Sequence, residues 1–254
     1  MQDRTLARED REALACLGRF AHGGPESGKD RGEVDGVLCL NAIRLPFPME
    51  VVARRGCHRL AGSRPEGVLV QGESIAVACY RTVRYGGPAD IDPHVGYELH
   101  LRIRAEIAAP AFDPSTDSGL SAHLARAVFL HPSRDWSVDA AAACMHMRAE
   151  RLKMRLFRES NACSAIVREQ RAIRALLALL ADGRAREQLA QTARLCGFAD
   201  AARMNAAFIA QFGMSASRVA ALAWYPAITW SFVTAHARAG GWEAEGTRFG
   251  LPAG

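Results

Sequence analysis

The pattern of apolar residues changes character about halfway along the chain, and this limits the folds available to it. From Val37 to about Arg104 the apolar residues fall in short runs: VLCLNAI, MEVVARRG, GVLVQG, SIAVACYRTVRY and YELHLRI. These runs are β-branched, partly alternating, and broken by Gly, Pro and Asp, which marks short strands in a small sheet or barrel. After Arg134 no strand run is read, and alanine and leucine dominate at helical spacing. Strands followed by helices predict an α+β chain: a small, β-rich, barrel-like N-terminal domain, then an all-α domain. With 254 residues, of which 49% are apolar and 23% charged, the chain can bury a sizeable core, which excludes disorder throughout.

The expected boundaries follow composition. Residues 1–35 end in AHGGPESGKDRGEVDG, too rich in Gly and alternating charge to build a core, and are expected to be a mobile tail. Residues 36–110 form the β-rich regulatory domain. Residues 111–133 hold the rest of the AAPAFDPSTDSG linker and a helix with Leu120, Leu124 and Val128 on one side. Residues 134–222 form the helical domain. Residues 223–254 are an aromatic tail whose Trp224, Tyr225, Trp230 and Phe232 are expected to cover part of it.

Charge is divided as sharply as pattern. Residues 134–222 contain 14 basic and eight acidic side chains, an excess of six, whereas the whole chain carries +5 and the remainder therefore −1. Lysine occurs only at Lys29 and Lys153, so the positive charge is almost all arginine, the bidentate partner of phosphates and guanine edges. A basic helical domain beside a near-neutral partner points to a polyanion surface. No apolar stretch reaches the length of a membrane span. The first twenty residues are too acidic for a secretory signal. The seven cysteines (Cys16, Cys39, Cys57, Cys79, Cys144, Cys163, Cys196) form no CxxC and read as free thiols of a reducing cytoplasm.

Within the helical half, DWSVDAAAACMHMRAERLKMRLFRES reads as a short helix capped by Ser137 or Asp139, a tight turn at Met145-His146-Met147, and a basic helix. Leu152 and Leu156 are expected to face inward, and Arg151, Lys153, Arg155 and Arg158 outward. That order is the helix-turn-helix, whose second helix enters the major groove. SAIVREQRAIRALLALLADG follows as a rigid strut with Ile166, Ile173, Leu177 and Leu180 on one face, ended by Asp182-Gly183. A second unit comes next. Leu189, Ala193 and Phe198 are its apolar positions, Gly197 permits its turn, and Asp200 caps a helix whose inner face is Met204, Ala207 and Phe208, with Gly213 at the end. The units lie roughly 50 residues apart, a plan that suits two successive major grooves ~34 Å apart.

These residues resemble the DNA-binding domain of the AraC/XylS family of transcription regulators. The resemblance rests on Thr192-Ala193, Gly197-Phe198, Met204, Phe208, Phe212-Gly213 and Ser215-Ala216 without a gap, and on Leu152, Leu156, Arg171 and Ala175. It covers Trp136 to Leu222. The LKMRLFRES run is most similar to a branch of enteric virulence and acid-response activators. The resemblance implies a cytoplasmic bacterial regulator that binds double-stranded promoter DNA, contacts RNA polymerase, and uses its β-rich domain to sense a small-molecule effector or to form a homodimer. An apolar pocket between the β-rich domain and the reader, taking something like a fatty acid, is the expected effector site. The alternatives are a repressor acting by occlusion, and an anti-activator that keeps the helical scaffold without reading DNA.

Four positions depart from the family pattern. Arg148 stands where a capping Ser is usual, Met154 where an Arg is usual, Thr192 for Ile and Ala216 for Pro. Matching positions make Glu150, Arg151, Lys153 and Met154 base-facing on the first recognition helix, and Ala202, Arg203 and Ala206 on the second; Arg148, Arg155 and Arg158 are the phosphate contacts. Glu150 accepts from a cytosine amine and Lys153 donates to guanine, whereas alanine offers only contact with a thymine methyl. The first helix is therefore expected to supply most discrimination and the second to position the protein. Arg171 and Arg174, on the strut, are expected to be structural or exposed rather than base readers.

Other motifs yield to plainer readings. Gly23–Asp30 is nearly a P-loop, but Asp30 replaces the Ser or Thr that holds magnesium, and no strand precedes it. Cys144-Met145-His146 and Cys57-His58 lack the spacing of a four-ligand zinc site. Nothing orients a base for a Cys–His nucleophile. Neither a cofactor nor an enzyme activity is expected.

Overall fold

A computed structural model describes residues 38–62, 67–89, 96–104, 119–181, 189–223 and 227–233. The N-terminal tail with its P-loop-like segment, the AAPAFDPST linker, Asp182-Gly183, and Trp224 and Tyr225 lie outside the described residues. In chain order the strands β1 (Leu40–Ile43), β2 (Met49–Arg55), β3 (His58–Ala61), β4 (Gly67–Leu69), β5 (Ser74–Val77), β6 (Val83–Pro88) and β7 (Glu98–Arg104) come first. The helices α1 (Leu120–Leu130), α2 (Val138–Cys144), α3 (Ala149–Arg158), α4 (Cys163–Ala181), α5 (Leu189–Leu195), α6 (Ala201–Phe212) and α7 (Ala216–Leu222) follow, and then β8 (Ala227–Val233). A β-rich region followed by a helical region is the arrangement expected from the pattern.

The strands form two four-stranded sheets, ordered β1-β6-β3-β4 and β5-β2-β7-β8. Alternation decides which faces meet. On β7, Leu99, Leu101 and Ile103 are buried while His100 and Arg102 are half-exposed between them. Opposite them, β2 presents Val51 to Leu101 and Met49 to Ile103 in antiparallel register. His58 is buried inside this interior, with its ring nitrogens against the Tyr85 hydroxyl at 3.1 Å and the Arg55 carbonyl at 2.9 Å. It is a satisfied core histidine; desolvation by burial lowers its pKa.

The strand β8 corrects the reading that no strand follows Arg134. It pairs parallel to β7, from Glu98 opposite Ala227 to Arg104 opposite Val233. A parallel neighbour needs a crossover, and here the entire helical half supplies it. Trp230 does touch the helical half, as expected of the aromatic tail: its indole N–H donates to the Leu177 carbonyl at 2.8 Å. The segment that carries it, however, is a strand at the sheet edge, held by Ile228 and Trp230, both buried.

Two apolar clusters divide the chain differently from the expected boundaries. One is mainly helical: Leu120, Leu124 and Val128 of α1, Ala141 and Ala142 of α2, Leu152 and Leu156 of α3, and Cys163, Ile166 and Val167 of α4, with Trp136 and Met145 between helices and Tyr80 of the β-rich region packed against it. So α1, read as part of a connecting segment, forms a wall of this cluster. The other runs without a break from the sheet interior (Leu40, Val51, Leu101) through Ile173, Leu176 and Leu177 of α4 to Phe208 and Phe212 of α6 and Val219 of α7. The second half of the helical region therefore shares its core with the β-rich region.

Candidate nucleic-acid interface

Each short-helix, turn, long-helix unit is set by local chemistry. In the first, the Ser137 hydroxyl accepts from the Ala140 N–H at 3.2 Å and starts α2. The chain then turns at Met145–Met147, with His146 in the left-handed region at φ 52°. Arg148 occupies the N-cap of α3 without a side-chain cap, as its departure from the family pattern implies. At the far end of α3 the Glu159 carboxylate accepts from the N–H groups of Leu120 and Ser121 at 2.9 and 2.8 Å. Gly119, the N-cap of α1, has no side chain to do this, and the bond ties α3 to α1.

In the second unit the Asp200 carboxylate accepts from the Arg203 N–H at 2.7 Å and starts α6. Gly213, at φ 76°, ends it, and the Ser215 hydroxyl caps α7. Gly197 carries the turn at φ 79°, and a Cβ there would fall 2.1 Å from the Pro132 carbonyl oxygen. No other residue fits. The same oxygen accepts from the Arg171 Nε–H at 2.8 Å, while another Arg171 nitrogen donates to the Arg134 carbonyl at 3.0 Å. The strut α4 thus holds the loop of the first unit against the turn of the second, which gives Arg171 the structural role expected of it.

Positions of the two units correspond at a constant separation of 52 residues. Ala141 and Ala193 are buried at matching places in α2 and α5; Leu152 and Met204, and Leu156 and Phe208, match in α3 and α6. The outer faces match as well. At ~100° per residue, positions 150, 153, 154 and 157 share one stripe of α3, and positions 202, 205, 206 and 209 share the equivalent stripe of α6. Glu150, Lys153, Met154 and Phe157 are all exposed, with Arg151 and Arg158 beside them and Arg148 at the helix start. On α6, Ala202, Ala206 and Ile209 are exposed beside Arg203, and Asn205 is half-buried, its side-chain oxygen 3.4 Å from the Ser217 N–H.

The structure therefore brings Glu150, Arg151, Lys153 and Met154 together on one accessible face with Arg148 and Arg158, and Ala202, Arg203 and Ala206 on another. Arg155 is the correction. It is 3% exposed and lies on the inner side of α3 with Leu152 and Leu156, so it is not available as an outward phosphate contact. Two residues were passed over: Phe157 is 81% exposed and Ile209 57%. The signal was present, since both occupy the centre of the outward stripe.

A part-buried polar junction joins α4 and α6 to the β-rich region. Arg44 donates to both Glu169 oxygens at 2.8 and 2.6 Å. The Gln211 amide of α6 donates to the Ala42 carbonyl at 2.7 Å and to Glu169 at 3.2 Å. The Arg44 guanidinium also lies 4.3 Å from the centre of the Tyr80 ring. The strut α4, the helix α6 and the end of β1 meet at one carboxylate.

The apolar interior between the sheets holds a cavity of about 20 Å³, lined by Leu40, Val51, Leu101, Ile173, Leu177 and Ile228 among others. Its location, between the sheets and α4, is where the effector pocket is expected. Its volume is that of about one water-sized group, far short of a fatty-acid-like molecule. Among the described residues no group of His, Cys, Asp or Glu side chains is placed to hold a metal ion, and no helix is long and apolar enough to cross a membrane.

No family model matches the sequence, and no curated protein matches it. Solved structures do align. A DNA-binding transcriptional dual regulator from Escherichia coli K-12 aligns with TM-score 0.37 and 20% identity, over 40% of this chain and 95% of that one. ToxT from Vibrio cholerae O395, bound to (E)-4-(8-methylnaphthalen-1-yl)but-3-enoic acid, aligns with TM-score 0.47 and 10% identity, over 75% and 96%. A 1.65 Å structure of Vibrio cholerae ToxT aligns with TM-score 0.47 and 9% identity, over 74% and 96%. All three scores lie below 0.5, so the roles assigned below rest on this chain's own residues.

Proposed function

We propose that the chain is a sequence-specific DNA-binding transcription regulator of the AraC/XylS plan, with α2–α3 and α5–α6 as two helix-turn-helix units on the strut α4. The observation that carries this reading is the 52-residue register, which repeats buried and exposed positions alike and leaves the outer face of each second helix open to solvent. A solvated basic surface needs no such repeat. In this reading Glu150, Lys153 and Met154 face base edges with Arg151 beside them, and Arg148 and Arg158 hold phosphates, which add affinity and salt dependence but little sequence choice. Arg203, Ala202 and Ala206 dock the second helix. The function is equilibrium binding to a promoter, with no bond made or broken. Activation through RNA polymerase, action as a homodimer and residence in the cytoplasm come from the family resemblance. Effector control would act by enlarging the cavity against Ile173 and Leu177 of the strut.

The test is genome-wide occupancy of the protein and its Lys153→Ala variant. Discrete promoter peaks that weaken or move in the variant support the reading; identical, diffuse profiles oppose it. The alanines on the outer face of α6 favour a second reading, an anti-activator on the same scaffold, which would show no peaks and no salt-dependent shift of duplex DNA in a gel.

A further inference from the structure

We infer that Phe157, with Met154, and Ile209, with Ala202 and Ala206, read thymine methyl groups, so that the preferred site is specified by A·T pairs through apolar contact as well as by hydrogen bonds. This rests on the DNA-binding reading above and names the chemistry it recognises. The argument begins with cost. Among the described residues Phe157 is the most exposed of the large apolar side chains at 81%, on a helix whose inner face is already filled by Leu152 and Leu156. It contributes nothing to that cluster, and an exposed aromatic ring favours association.

Phe157 is also not alone. Ile209 stands at the same position of the second unit, 52 residues on, and is 57% exposed. Met154, 52% exposed, lies one turn before Phe157, and Ala206 one turn before Ile209. Two helices thus repeat one device: a large apolar group central on the outward stripe, with a smaller one beside it.

The occupant follows from charge. Arg148, Arg151 and Arg158 border the stripe on α3, with Glu150 and Lys153 inside it, and Arg203 borders it on α6. An apolar strip inside a cationic rim calls for a polyanion that shows apolar groups between its charges. It suits the major groove, where phosphates flank base edges and where the thymine C5-methyl is the apolar group on display.

The experiment uses the full chain and a randomised duplex pool, prepared once with thymine and once with uracil in its place. Uracil removes the methyl and leaves the hydrogen-bonding edge unchanged. Sites recovered from the thymine pool are then remade with uracil. We expect A·T pairs at the contacted positions and a loss of about fourfold in affinity for each contacted methyl removed. The Phe157→Ala variant should narrow the difference between thymine and uracil copies across the first half-site, and Ile209→Ala across the second, while each stays folded because the side chain is exposed. Equal affinity of the unaltered protein for both copies, or sites made only of G·C pairs, would overturn the inference while leaving DNA binding intact. Failure to enrich any sequence from either pool would overturn the DNA-binding reading and this inference with it.

Discussion

The two helical units have the same plan and different foundations. The first rests on α1 and the front half of α4, in a cluster to which no strand contributes. The second rests on the back half of α4, on α7 and on the sheet interior, with Gln211 bonded to the end of β1. A repeated motif therefore does not make a repeated environment. Whatever moves the β-rich region reaches α6 through packed side chains and the Gln211 bond, and reaches α3 through the strut, through Tyr80, and through Phe47 against Phe129 of α1.

The largest expected effect compares the two foundations directly. Phe208→Ala should cost about 3–5 kcal/mol, and hydrogen exchange should show lost protection in β2 and β7 as well as α6. Leu152→Ala should cost about 2–5 kcal/mol, with protection lost in residues 120–167 and kept in the sheets. If both variants lose protection everywhere, the division into two clusters is not an energetic one. Next comes Gly197→Ala, which places a Cβ against the Pro132 oxygen and a side chain in the left-handed region. It should cost about 2–4 kcal/mol by thermal melting and loosen both units together; a loss confined to one would show that the Pro132 contact does not couple them.

The smallest effect is acid-dependent. Both ring nitrogens of His100 face β8 hydroxyls, Thr229 at 2.7 Å and Ser231 at 2.9 Å. Burial first, then Arg54 and Arg102, lower its pKa to about 4. The folded state holds this ring neutral, whereas the unfolded chain takes up a proton below about pH 6.5. Its contribution is complete above that value and is lost as pH falls toward 4, about 1–2 kcal/mol once its partial exposure is allowed for. Exchange protection of β8 and α6 should fall before that of α3, and His100→Gln should flatten the dependence.

What could be read in the sequence was what is decided locally. Ser137, Asp200, Gly197 and Gly213 act on neighbours a few residues away, so the helix starts, the turns and the buried faces of α3 and α6 were legible. The strand β8 was not, because its partner β7 lies across the whole helical half and its aromatic residues suit a packed tail equally well. Arg155 was misread by charge: its helical position, between Leu152 and Leu156, outranks its guanidinium. Phe157 and Ile209 were overlooked for the opposite reason, since large apolar side chains are read as core until the wheel places them outward. Neither the merging of the second unit with the sheets nor the size of the cavity leaves a mark on composition.

The central claim is that α3 and α6 occupy successive major grooves of one duplex. Missing-base interference on a site recovered by selection tests it most directly. The account predicts two patches of essential bases about 10–10.5 base pairs apart, centre to centre, the patch under α3 vanishing in Lys153→Ala and the patch under α6 weakening in Arg203→Ala. A single patch, or two that respond to neither substitution, would contradict it.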